Sequence, residues 1–288
     1  MLARIKQSVP YIAFREWNKA LRRRMKLPAY LGNDHQCPIC GQNLRAFKPM
    51  WKSYWRGIEQ YGYVHPVSAM ETFNVAAFSC PACDAFDRER LTALYLDRAF
   101  RSLDQRRRYR LIEFAPAHAL HKKLKRYPFI DYRSADLARN DVHDRRVDLT
   151  DMHGYADESV DIFLCSHVLE HIPDDRKAMR ELRRILKPSG FGIVLVPLIP
   201  GIDETHEDPK IDTIALRWKY YGMGDHVRQY GKRDFIDRLT AAGFAVEQLG
   251  IDYFGAEIFK RAGIADNSVL YVVRKIDDGG RRAESGTQ

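Results

Sequence analysis

From residue 110 onward, short apolar runs recur at intervals that leave room for a helix between most of them. Residues 110–114, 130–135, 160–168, 191–199, 244–251 and 268–276 each read as a strand, with a weaker one at 146–149. Helical periodicity is clearest at 87–103 and 174–186. The second of these opens on Asp174 and Asp175 and closes on Arg183, Arg184 and Lys187, the order of charge that a helix dipole favours. The last two strands are separated by a stretch with little helical pattern. Strands alternating with helices predict an α/β domain: a mostly parallel sheet with helices on both faces.

Before residue 87 the pattern changes. Residues 11–27 place Ile12, Trp17, Leu21 and Met25 at near-helical spacing among Arg15, Lys19, Arg22, Arg23, Arg24 and Lys26, which predicts a basic amphipathic helix. An aromatic-rich stretch bearing paired cysteines follows. The chain therefore divides into a basic segment (1–36), a cysteine module (37–86), the α/β domain (87–276) and a polar, flexible tail (277–288).

Composition narrows the class. With 288 residues, 45% of them hydrophobic, the chain can bury a substantial core, which excludes disorder and collagen. The longest uncharged apolar run, 190–202, is shorter than the ~20 residues of a membrane span, and the N-terminus has no apolar signal core, so a cytoplasmic location is expected. The net charge is +9, and residues 1–36 alone hold eight basic side chains against two acidic ones. That segment suits phosphate, an anionic membrane surface touched peripherally, or an acidic partner; it equally suits a solvated face packed on its own domain.

Four of the five cysteines form two knuckles, Cys37-Pro38-Ile39-Cys40-Gly41 and Cys80-Pro81-Ala82-Cys83-Asp84. Two such pairs can offer four thiolates to one tetrahedral Zn2+, a structural zinc-ribbon-like site; a redox pair is the other reading. The aromatic side chains between them, including Phe47, Trp51, Tyr54, Trp55, Tyr61, Tyr63, Phe73 and Phe78, read as the module's small core rather than a base-stacking platform. Cys165, inside an apolar strand, reads as a buried small hydrophobe.

In an open parallel sheet, ligands bind beyond the carboxyl ends of the strands. Those ends here carry Glu113-Phe114-Ala115-Pro116-Ala117, Asp136-Leu137, Asp148-Leu149-Thr150 and Ser166-His167-Val168-Leu169-Glu170-His171. The runs at 147–152, 157–162 and 167–172, followed by Leu186-Lys187-Pro188-Ser189-Gly190, resemble successive motifs of the class I S-adenosylmethionine (SAM) dependent methyltransferases over about residues 105–275. The likeness is to type 11-like members in a bacterial branch with an N-terminal zinc-ribbon-like module. It implies a Rossmann-like seven-stranded sheet and SAM as cofactor. Glu113 and Ala115 would lie near the amino-acid moiety, Asp136 and Leu137 at the ribose, Asp148 and Leu149 at the adenine, and Ser166 and His167 under the cofactor. Carboxylates independently suit the ribose hydroxyls, the exocyclic amine and a sulfonium cation. As isolated residues, Asp136 reads equally as a helix cap and Asp148 as a turn residue. The family's first-strand loop usually has glycines, whereas this one has Ala115, Pro116 and Ala117, so it must hold SAM differently or weakly. Within the resembling branch the loop also looks like Ala-Pro.

The connection at 200–230 is far longer than the ~2 to 6 residues usual in α/β units, and is expected to act as a lid that orders over substrate. Within it His226 is the candidate base, Asp225 its orienting partner, and Arg228, Tyr230 and His206 the candidate acceptor contacts. Loop packing is the other reading for each of them, and His171 is read as structural. The expected activity is methyl transfer to a hydroxyl or carboxyl of a small-molecule or glycan-like acceptor. An RNA methyltransferase using the basic segment with Arg106, Arg107, Arg108 and Arg110, and a non-catalytic zinc-ribbon binding protein, are the alternatives.

Overall fold

The structure, a computed structural model, describes residue 21 and residues 23–276. The expected basic helix at 11–27 falls largely outside the described residues, and the tail at 277–288 entirely so.

Seven strands form one sheet: β3 (Tyr109–Phe114), β4 (Ile130–Asp136), β5 (Asp144–Arg145), β6 (Val160–Ser166), β7 (Leu186–Leu195), β8 (Phe244–Leu249) and β9 (Leu270–Lys275). Their spatial order is β5-β4-β3-β6-β7-β9-β8, parallel from β5 to β7, with β9 antiparallel to both of its neighbours. The expected seven-stranded α/β sheet is therefore present. β6 lies at its centre and is buried from Val160 to Cys165, which is why it reads as an apolar run broken only by Asp161.

Helices α2 (Asp87–Arg101), α3 (His118–Leu124), α4 (Asp175–Ile185) and α6 (Lys232–Ala241) belong to the α/β domain. The side chain of Asp174 caps α4 by accepting from the Lys177 N–H at 2.9 Å, and the helix buries Ala178, Met179, Leu182 and Ile185, one helical stripe. Two expectations are corrected: the strand expected at 146–149 lies at Asp144–Arg145 (β5) instead, and the stretch between the last two strands is helical. The span between β8 and β9 holds two short helices, α7 (Ile251–Phe254) and α8 (Ala256–Ala262), flanked by Gly250 and Gly255 and too brief to show a period. The 200–230 connection also contains a helix, α5 (Ile214–Tyr221), started by Thr213, whose hydroxyl accepts from the Leu216 N–H.

β1 (Leu31–Gln36), just before the cysteine module, pairs antiparallel with β2 (Asn43–Leu44) inside it, and the module contains helix α1 (Lys52–Tyr61). It is bound tightly to the sheet domain. Cys37, Ile39, Leu44, Phe47, Cys80 and Ala85 belong to the same apolar core as β3, β6 and β7. Arg90 of α2, fully buried, donates to the carbonyls of Ala77, Ala85, Ala262 and Gly263 at 2.5–2.9 Å and lies 4.0 Å from the centre of the Phe47 ring. Trp218 of α5 stacks on Tyr61 of α1, joining the long connection to the module as well.

Candidate active site

The sheet register brings the predicted strand ends into one row. Phe114 pairs with Ala135 on one side and Cys165 on the other, and Ser166 pairs with Leu195, so Ala115, Asp136 and His167 all emerge at the same edge. A narrow pocket lies there, lined by Glu113, Ala115, Ala117, Leu164 and Ser166 from the sheet edge and by Arg88, Glu89 and Thr92 from α2. The loop without glycine takes a glycine-like shape nonetheless: Ala115 has φ 49°, a left-handed conformation that is strained for a residue with a Cβ. Its N–H bonds Ala135 O at 2.9 Å, which holds the strained turn in place.

Glu113 is buried and accepts from the Tyr132 hydroxyl at 2.6 Å and the Ala117 N–H at 3.0 Å. Burial pushes its carboxyl up to about 7, against the opposing pull of those two hydrogen bonds. Asp136 uses Oδ1 to accept from the N–H groups of Ala138 and Arg139, and Asp148 uses Oδ1 to accept from the backbone and hydroxyl of Thr150. Both thus have the turn-stabilising role that an isolated Asp commonly plays, at the edge where a ribose and a base would lie. Leu137 is exposed and Leu149 buried.

A second cavity, of about 310 Å3, adjoins the first through Arg88 and the Ser166–His167 step. One side is aromatic and comes from the cysteine module: Trp51, Tyr54, Phe73, Phe78 and Phe86. This corrects the reading of those rings as only a small core, since Trp51 is 49% exposed while Phe78 is buried. The other side is ionisable, with His167, Glu170, His171, Asp225 and His226. His167 sits at φ 55°, a second left-handed position at the strand ends. Burial lowers His167 to about 4 and lowers His226 as well, so both rings are neutral at pH 7.

The structure reassigns several of the expected acceptor residues. His226 is oriented by the Tyr221 carbonyl, 3.0 Å from Nδ1, and Asp225 stands by His171, with Oδ2 3.6 Å and the carbonyl 3.3 Å from that ring's Nδ1. Arg228 is buried and directed at the turn after β6: it donates to Leu169 O, Ile172 O and Pro173 O, and to Glu207. Tyr230 is buried and donates to Asp175. Both hold the loop in place, away from the cavity wall. His206 is exposed, packed edge-on to Tyr220 and Tyr221 and paired through its backbone with Gln229. Sequence reasoning missed Arg88 and Glu89, although a first helical turn reading Asp87-Arg88-Glu89-Arg90, four charges opening an otherwise apolar-periodic helix, was the available signal; three of the four are buried in the fold. It also set aside His171, which faces the cavity.

The four cysteines of the knuckles meet. Cys37 Sγ is 3.7 Å from Cys83 Sγ, Cys40 Sγ is 3.9 Å from Cys80 Sγ, and all four sulfurs lie within 4.8 Å of one another. A tetrahedron of Zn–S bonds of about 2.3 Å has edges of about 3.8 Å, so the donor set fits zinc. Each knuckle turns through a left-handed residue, Gly41 (φ 74°) and Asp84 (φ 61°), whose N–H returns to the first cysteine's carbonyl. Asp84 carries the strain of that position and pairs with Lys48 at 2.5 Å.

Residues 100–194 match the protein family described as the methyltransferase domain. The matched span runs from the end of α2 into β7, about a third of the chain. The sheet, parallel from β5 to β7 with β9 antiparallel to its neighbours, has the Rossmann-like seven-stranded arrangement expected from the sequence. Over 99 residues the chain is 32% identical to the uncharacterized protein YafE of Escherichia coli (strain K12), an alignment covering 34% of this chain and 44% of that protein. The chain thus spans under half the length of this curated relative. Solved structures similar to it include a SAM dependent methyltransferase from Archaeoglobus fulgidus (14% identity, 64% of this chain and 92% of that one, TM-score 0.40). Another is the YcgJ protein from Bacillus subtilis (16% identity, 63% and 98%, TM-score 0.40). Among the described residues, no helix is long and apolar enough to cross a membrane.

Proposed function

We propose that this chain transfers a methyl group from SAM to an oxygen of a small acceptor with an apolar or ring-shaped face, with a structural zinc on Cys37, Cys40, Cys80 and Cys83. The observation that carries this reading is the junction of the two cavities: a strand-end pocket with carboxylates and a guanidinium opens beside an aromatic chamber, sharing Arg88. Bound SAM supplies an electrophilic methyl on a sulfonium centre. In this reading Glu113 and Glu89 would face an ammonium, Arg88 a carboxylate, and Asp136 and Asp148 the ribose and adenine edge. The left-handed turn at Ala115 lets backbone approach the cofactor where a glycine would otherwise stand.

The aromatic wall supplies a flat, dry face for the acceptor, and the volume lies within the ordinary range for small-molecule sites of about 300–1,000 Å3. These features favour a small acceptor over RNA. Methyl transfer needs in-line approach, so holding the acceptor oxygen in position is the main task of the protein. In this reading His226, on the cavity wall with Nδ1 tied to the Tyr221 carbonyl, contributes to that positioning.

Calorimetric titration with SAM, followed by transfer of labelled methyl to a panel of phenols and hydroxylated rings, tests the reading. SAM should bind, Arg88→Ala should weaken it by roughly tenfold or more, and His226→Ala should cut turnover about 100-fold while leaving SAM affinity unchanged. No heat with SAM from a folded, zinc-loaded chain rejects the reading.

A further inference from the structure

We propose that Glu170, His171 and His226 bind one divalent first-row transition-metal ion on the wall of the aromatic cavity, a site separate from the four cysteines. The chemical signal is Glu170. Its side chain is 1% exposed and neither carboxylate oxygen has a hydrogen-bond donor. His167 Nδ1 is 3.3 Å from Oε1 but without the alignment of a hydrogen bond. The cation of the same cavity, Arg88, lies with its guanidinium over the Phe86 ring at 4.8 Å and makes no ion pair with Glu170. A buried carboxylate whose nearest polar neighbours are imidazoles, none of them aligned to donate to it, is costly, and a metal ion shared with two of those imidazoles is a partner that this geometry accommodates.

The two imidazoles are prepared as ligands. A carbonyl can only accept, so the contacts of His226 Nδ1 with Tyr221 O and of His171 Nδ1 with Asp225 O place the proton on Nδ1 in each ring and leave Nε2 as a lone pair. Metal-binding histidines commonly have this arrangement, the far N–H held by a carbonyl or carboxylate. His226 Nε2 is 4.0 Å from Glu170 Oε1, the rings of His171 and His226 meet at 4.8 Å between centres, and the three donor groups lie within 4.8 Å of one another. A small closing movement brings them to the bond lengths of about 2.1 Å that imidazole and carboxylate ligands adopt. Two nitrogens and an oxygen suit Mn2+, Fe2+, Co2+ or Zn2+ rather than Ca2+.

The halves of this site are fastened together independently of any ion. The Val227 N–H bonds Glu170 O at 2.9 Å, and Arg228 clamps the turn at 169–173 from the same loop. Three protein ligands leave positions open toward the cavity, where an acceptor oxygen can coordinate. This last role rests on the methyl-transfer reading; the metal site itself does not.

Mn2+ is the probe, because it avoids thiolates and its resonance spectrum is lost from the free-ion signal on binding. The full, zinc-loaded chain should take up one Mn2+, and the same ion should raise its melting temperature. Glu170→Gln should weaken uptake about 100-fold. His171→Gln should do the same, so that a failure of one variant to fold leaves the other as the measure. A wild-type chain that still binds SAM yet takes up no Mn2+ or Co2+ at the cysteine-independent site overturns the proposal, as does full uptake by both variants. Uptake without methyl transfer to any acceptor would leave the site standing and reject the activity. Transfer undiminished after the ion is removed would reject the acceptor-holding role.

Discussion

At the scale of single residues, the strand ends hold more strain and more buried charge than a survey of sequence composition reveals. Ala115 and His167 occupy left-handed backbone, and Glu113 sits buried among groups that only partly offset its desolvation. Because its pKa in the folded chain, about 7, lies above the ordinary 4.5, the folded state holds the proton more tightly than the unfolded one between those values. Stability from this group is therefore full below about pH 4.5 and is lost as pH rises through 7. Glu113→Gln should raise the melting temperature of the SAM-free chain at pH 8 and converge with wild type near pH 4.5, read by thermal melts across that range. An equal effect at both ends would show that the carboxyl is not desolvated as described. The sequence pointed to Glu113, Asp136 and Asp148 because each ends an apolar run. The pairing of His171 with Asp225 was hidden, because the two are 54 positions apart and only the folded loop joins them.

Among elements, α2 does the most to join the parts. Its first turn sends Arg88 and Glu89 to the strand-end pocket and Arg90 into the seam with the cysteine module and α8. Arg90→Met would leave several carbonyls without a donor and remove a buried cation beside Asp87, at a cost on the order of 3 kcal/mol. Denaturant unfolding should show the midpoint falling with little change in slope; a shift under about 0.5 kcal/mol, typical of surface positions, would count against the seam. The long strands and longer helices were legible because a period of two or 3.6 needs only neighbours in sequence. α7 and α8 were not, since four and seven residues cannot establish a period.

For the whole molecule, the cysteine module is wall and core at once. It supplies the aromatic side of the larger cavity and shares a continuous apolar core with the sheet. Binding of the proposed zinc by the four cysteines would therefore be coupled to the whole fold. Removal of the metal with a strong chelator should lower the melting temperature in a single calorimetric transition, with loss of acceptor binding. Two transitions, the upper one unchanged, would mean that the division at residue 87 separates independent folding units.

The sequence by itself determined six of the seven strands, that the sheet is mostly parallel, that two cysteine pairs stand ready for one ion, and that Glu113 and Asp136 lie at strand ends. These follow from local patterns, in which each side chain's spacing relative to its neighbours decides which face is buried. Tertiary structure alone decided that the module's rings face the sheet edge, that Arg228 and Tyr230 point away from the cavity, and that Glu170, His171 and His226 converge there. The reason is physical: where distant segments meet depends on the summed packing of the intervening elements, which no period in the chain encodes.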